Sequence, residues 1–176
     1  AVDLNFNFKI KDLIKIAESL KKFRIKWLEI DSYSAQPLSL LKKKTKIPIV
    51  TGETIMELSN LEKFIDKKCS DFISVDLIWS GLTESKKIAD FCKKKKFNIT
   101  THNYNGYLGT FMSANLAASV SNFFIGEIDI DEIKNLNKVF SNSPDINGRF
   151  LNIPDSPGWG CELNEKHIKK VFSAKN

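Results

Sequence analysis

Six ionisable residues recur along the chain at intervals of 23 to 26 positions: Asp3, Glu29, Glu53, Asp76, His102 and Glu127. Each follows a short β-rich run. A single acid in such a place is ordinarily a helix cap or a solvated loop residue, but six in register imply a shared purpose. Asp3, Glu29 and Glu53, on neighbouring strands, would repel one another unless a cation sits between them. Hard oxygen donors without Cys or His select Mg²⁺ over zinc and leave positions for water and substrate. His102 differs in kind. It can act as a base near neutral pH, and Asp76, one strand earlier, can accept its other N–H and fix its tautomer. Glu127, on the last strand, can hydrogen-bond a developing enolate or donate a proton.

Positioning these groups requires strands with a common polarity. Strand-like runs fall at 25–28, 47–50, 72–75, 98–101 and 123–125, after a first run cut short at Val2. Between them lie amphipathic patterns such as Leu13, Ile16, Ala17, Leu20 and Ile88, Ala89, Cys92. Thr83 is placed to cap the latter helix, and 113–120 reads as a small-residue helix lying close on a sheet. Strands alternating with helices argue for parallel βα units. A doubly wound sheet alternates in the same way but has no reason to set a reactive group after every strand. A barrel does, because its active site is built from the C-terminal ends of its strands. A whole barrel has eight strands in about 250 residues. The chain is therefore expected to be one α/β domain over residues 1–176, the C-terminal portion of a (β/α) TIM-type barrel, comprising strands 3 to 8.

Composition narrows the partners. The net charge is +6, yet all basic residues except Arg24 and Arg149 are Lys, and Arg is the residue favoured for bidentate phosphate and base contacts. The basic runs at 42–44 and 93–96 fall where helices should end and complement their dipoles. A nucleic-acid role is set aside on these grounds. No apolar run is long enough to span a bilayer, so no membrane role is expected. Cys69, Cys92 and Cys161 are odd in number and widely spaced, which fits reduced thiols in a cytoplasmic protein. His167, in a polar terminal helix, is expected at the surface.

Several ordered stretches resemble the enolase superfamily. VDLNFNF (2–8) resembles its D-x-N strand end, WLEID (27–31) its W-[IL]-E-E-P segment, and IPIVTGE (47–53) its I-P-[IV]-x-x-G-E segment. SVDLIWSGLTESKKIADFC, THNYNGYLGT (101–110) and NGRFLNIPDSPGWGCELNE resemble the later motifs. The resemblance implies a Mg²⁺ enzyme that abstracts the proton α to a carboxylate through an enediolate. By position it makes Asp3, Glu29 and Glu53 the metal ligands, His102 the base, Asp76 its partner and Glu127 the electrophilic or hydrogen-bonding acid. The muconate-lactonizing branch carries a Lys shortly after the Asp76 position. Here Leu77, Ile78 and Trp79 stand there, so the resemblance is to the mandelate racemase branch. Departures are Ile30 for the second acid of E-E-P, loss of its Pro, Ser80-Gly81 for G-G, and Thr101 for the Pro before His102. The resemblance also implies an N-terminal capping domain, the first barrel strands and a K-x-K base ahead of this chain.

Three functional readings follow from the resemblance. The first is a hydro-lyase that dehydrates a sugar acid, a small-molecule carboxylate, within a complete protein that is a homo-oligomer. The second is a racemase or epimerase of a 2-hydroxy acid, which needs a second base on the opposite face. The third is a truncated product, inactive alone, because an open six-strand piece exposes its sheet edges.

Overall fold

The computed structural model describes residues 1–131 and 136–173. Strands and helices alternate as far as residue 126: β1 (Val2–Asp3), α1 (Ile10–Leu20), β2 (Leu28–Glu29), α2 (Ala35–Lys42), β3 (Ile49–Thr51), α3 (Leu58–Asp66), β4 (Phe72–Val75), α4 (Leu77–Lys94), β5 (Asn98–Thr101), α5 (Gly106–Ser119) and β6 (Phe123–Gly126). The six strands form one sheet in that order, and every pairing is parallel. An order that never reverses has no switch point, so the doubly wound alternative is excluded. The α/β architecture expected from the repeat is the one observed.

Each helix buries one stripe on the sheet: Leu13 and Ala17 from α1, Leu38 and Leu41 from α2, Leu61, Phe64 and Ile65 from α3, and Ile88, Ala89 and Cys92 from α4. Leu28, Ile49, Ile73 and Ile99 of the strands are fully buried beneath them. Burying one such Leu or Ile contributes about 1.5–3 kcal/mol. On the opposite face Trp27, just before β2, meets Phe72 of β4, and Phe72 stacks on Phe124 of β6, with ring centroids 6.2 and 4.8 Å apart. Alternate strands sharing a layer of side chains is how a barrel fills its interior, so the sheet curls in the barrel sense.

Several boundaries differ from the expectation. The β3 ladder begins at Ile49 rather than at 47, because Pro48 has no N–H to contribute. Thr83 does not head its helix. The side chain that accepts from the start of α4 is Asp76, and Thr83 lies beyond a break at Gly81 (φ 72°, ψ 162°). No atom lies within 4 Å of a Cβ built on Gly81, so its positive φ, not space, calls for glycine there. The small-residue helix starts at Gly106, seven residues before 113. The basic runs do end α2 and α4. After β6 come α6 (Leu136–Val139), an antiparallel hairpin of β7 (Asp145–Asn147) and β8 (Phe150–Asn152), and α7 (Glu165–Ser173). His167 in α7 is half-buried rather than exposed.

Helix α5 can approach the loop after β5 because residue 109 is glycine. A Cβ there would lie 2.2 Å from Asn103 Oδ1 and 2.9 Å from Asn105 Cβ. Gly109→Ala is expected to destabilise the fold by about 1–3 kcal/mol through overpacking. An unchanged urea midpoint for this variant would contradict the close approach.

Candidate active site

Parallel strands aim their C-terminal ends one way, and the six residues stand at or just past those ends. Asp3 and Glu29 close β1 and β2 and are paired in register. Asp76, His102 and Glu127 immediately follow β4, β5 and β6. Glu53 lies two residues beyond β3, after Gly52, whose φ of 125° turns the chain where a Cβ would meet Ser74 O at 2.9 Å.

Asp76 is the most heavily engaged of the six. It is 1 % exposed. Its Oδ1 accepts from the Ile78 and Trp79 amides at 2.7 and 3.0 Å, as a helix cap does. Its Oδ2 lies 2.7 Å from His102 Nδ1 and accepts from Asn105 Nδ2 at 2.9 Å. Burial pushes the Asp76 carboxyl up, but the bonds from His102, Trp79 and Asn105 prevail and hold it below the usual carboxylate range.

His102 therefore presents Nε2 to the mouth, 3.5 Å from Glu53 Oε2 and 3.8 Å from Glu127 Oε2. Burial favours the neutral imidazole. The bond to Asp76 and the charges of Glu53 and Glu127 outweigh it and raise the pKa to about 9. The indole of Trp79 lies over one side of the ring, with centroids 5.8 Å apart. Glu127 is held by the Asn103 backbone N–H at 3.0 Å. Asn103 is itself 1 % exposed and donates from Nδ2 to Thr110 Oγ1 at 2.8 Å, which ties the His102 loop to α5.

The other acids are crowded. Burial, then the charges of Glu127 and Asp3, raises Glu29 to about 7 against an opposing hydrogen bond from Trp27. Burial raises Glu53 to about 8, with Asp31, Glu29 and Asp3 adding to it and His102 opposing. Oxygen donors that resist carrying charge together suit a hard divalent cation, so the chemistry of the set fits Mg²⁺. Among the described residues no three such groups stand where they could hold a metal. The Asp3 carboxylate is turned onto Asn5, accepting from its N and Nδ2 at 2.9 and 2.6 Å. Glu29 accepts from Trp27 Nε1 at 3.3 Å.

Sequence reasoning passed over four residues of this mouth. Asn103 and Asn105 stand in the H-N-Y-N stretch but carry no charge to single them out. Trp79 stands where the other branch carries Lys, and nothing in its sequence context points to its contact with His102. Asp31 occupies the position of the lost Pro. It is buried and accepts from Thr54 Oγ1 at 3.3 Å, and burial followed by the Asp3 charge raises its pKa.

The double duty of Asp76 separates two variants. Asp76→Asn keeps an oxygen for the α4 cap but sets an N–H against His102 Nδ1. Its melting temperature should change little while the His102 pKa falls well below about 9. Asp76→Ala should in addition lose about 1 kcal/mol of stability with the cap. A histidine titration by NMR that is the same in wild type and Asp76→Asn would refute the pairing.

The family described as Enolase C-terminal domain-like matches residues 1–167. The chain is 25% identical over 167 residues to a D-xylonate dehydratase of Haloferax volcanii, covering 93% of this chain and 40% of that protein. It is 25% identical over 175 residues to a D-gluconate/D-galactonate dehydratase of Picrophilus torridus, covering 97% and 44%. A crystal structure from Burkholderia xenovorans, of a candidate L-alanine-DL-glutamate epimerase bound to magnesium and fumarate, superimposes with a TM-score of 0.92 at 39% identity, covering 96% of this chain and 42% of that one. The chain thus spans less than half the length of each. Strand order, the register of the acids and the match over nearly all its length agree, and the chain belongs to the enolase superfamily, in its C-terminal domain-like family.

Proposed function

We propose that this chain carries the catalytic acids and base of a Mg²⁺-dependent hydro-lyase acting on a sugar acid in the cytoplasm. The observation that carries the reading is the dyad: His102 Nδ1 lies 2.7 Å from a buried Asp76 oxygen while Nε2 faces the acids of the mouth. The similarity to two sugar-acid dehydratases supports the substrate class, and the free thiols of Cys69, Cys92 and Cys161 suit a reducing compartment. Asp3, Glu29 and Glu53 would hold the metal. When bound, Mg²⁺ supplies positive charge against the substrate carboxylate, which makes the α-proton more acidic.

His102 Nε2 takes that proton, and Asp76 keeps the ring in the tautomer that leaves Nε2 free to accept it. The electron pair moves onto the carboxylate, and Glu127 in its acid form would donate a hydrogen bond to the added charge. The imidazolium then returns its proton to the departing 3-hydroxyl, which leaves as water. The resulting enol becomes the 2-keto-3-deoxy acid. The same base would serve both steps, and among the ends of β1 to β6 His102 is the one basic side chain. The similarity to two sugar-acid dehydratases favours dehydration over racemisation.

Two measurements test the reading. With sugar acids in D₂O, the native protein should release a 2-keto-3-deoxy acid labelled at C3, and His102→Asn should abolish turnover while substrate and Mg²⁺ still bind. Substrate returned with deuterium at C2 in both configurations would instead show a racemase. Glu53→Gln and Asp3→Asn should each lower Mg²⁺ affinity about 10-fold or more. Metal binding must also displace protons from Glu29 and Glu53, raised to about 7 and about 8. Mg²⁺ affinity should therefore rise with pH across that interval, with calorimetric heats that depend on the buffer. A pH-independent affinity would show that these two carboxyls are not the ligands.

A further inference from the structure

Next to the mouth, with neither residue of the dyad in its wall, lies a cavity of about 530 Å³ lined by Met56, Glu57, Ser59, Trp79, Ser80 and Glu84. It lies between the loop after β3 and the first turn of α4. Trp79 belongs to both places, since it lines this cavity and its indole lies 5.8 Å from the His102 ring. Its position is set from the backbone. The Trp79 amide donates to Asp76 Oδ1 at 3.0 Å, and Gly81 breaks the helix two residues later. The short turn between cap and break is therefore anchored on Asp76 and set apart from the long helix behind it.

The lining has two chemical parts. Trp79 and Met56 are exposed apolar surfaces, 44% and 48% accessible, and Trp79 is the one beside His102. Ser59 and Ser80 offer hydroxyls, and Glu57 and Glu84 offer carboxylate oxygens. Ser59 Oγ donates to Glu57 Oε2 at 3.3 Å, and Glu84 accepts from the Leu58 amide and from Lys87. None of the six lining residues is cationic. An aromatic face flanked by neutral and anionic acceptors suits a carbon chain whose C–H edge packs on the ring while its hydroxyls donate outward. Glu84 is already paired with Lys87, so a second carboxylate or a phosphate on that chain would meet Glu57 as the anionic group of the lining without an ion-pair partner among the described residues.

We propose that this cavity is the subsite for the neutral, hydroxylated tail of the sugar acid, with Trp79 as its aromatic wall, and that it selects monocarboxylic over dicarboxylic sugar acids. The inference rests on the sugar-acid reading above and assigns Trp79 and Glu57 as specificity-determining residues. Trp79 fixes the tail so that the α-carbon stays beside His102 Nε2. Glu57 repels a charged terminus.

Calorimetric titration of the Mg²⁺-loaded His102→Asn protein, which retains ligand without turning it over, separates these roles. The probes are five- and six-carbon aldonates, each paired with the aldarate of the same carbon skeleton. The best-bound aldonate should bind about 10-fold more tightly than its aldarate. Adding Trp79→Ala should weaken that aldonate about 10-fold without altering Mg²⁺ affinity, while Trp79→Phe, which keeps a ring, should stay within about threefold. Adding Glu57→Gln should narrow the difference between aldonate and aldarate. Aldonate binding that is the same with Trp79→Ala, an aldarate that binds as tightly as its aldonate, or failure of every aldonate to bind would each overturn the subsite. The sugar-acid reading fails on a different result: no dehydration or deuterium incorporation by the native protein on any aldonate that it binds.

Discussion

Six carboxyl groups and one imidazole share the mouth of the sheet, and the cost of placing like charges together away from water governs what each can do. Glu29, Asp31 and Glu53 all respond by holding their protons more tightly. Asp76 responds in the opposite direction, because four donors saturate its two oxygens. His102 sits between the two regimes. Burial works against its positive form, but Asp76, Glu53 and Glu127 together favour it.

The crowding is a product of topology. In consecutive parallel strands every C-terminal end faces the same way, so residues about 25 positions apart in sequence become neighbours without any long-range loop to bring them there. Helices packed behind the strands supply the rigidity. Local devices then refine the aim: a left-handed glycine before Glu53, a cap at Asp76, and the bare Cα of Gly109, which lets α5 settle on the Asn103 loop.

Much of this was legible in the residues themselves. The runs at 72–75 and 98–101 are strands over those same residues, because β-branched and aromatic residues there are bounded by clear turns. The recurring acids announced the sheet polarity. The cap was misassigned to Thr83 because the periodicity of α4 resumes after Gly81, and a positive φ that interrupts a helix leaves no mark on hydrophobic spacing. The side-chain directions of Asp3 and Glu29 were also illegible. They depend on Asn5 and Trp27, two neutral donors whose reach only the folded backbone defines. Asn103 escaped notice for a related reason, since a buried amide acts through geometry and not through charge.

Asp76 and Glu127 differ in how tightly the fold ties them down. The first is a helix terminus and an imidazole partner in one carboxylate, so a substitution there disturbs both the start of α4 and the ring of His102. The second is half exposed and held by a single backbone amide, so its identity can drift with little effect on the rest of the chain. The Glu127 side of the mouth is therefore the side that the fold leaves open to change, and the Asp76 side is the one it holds fixed.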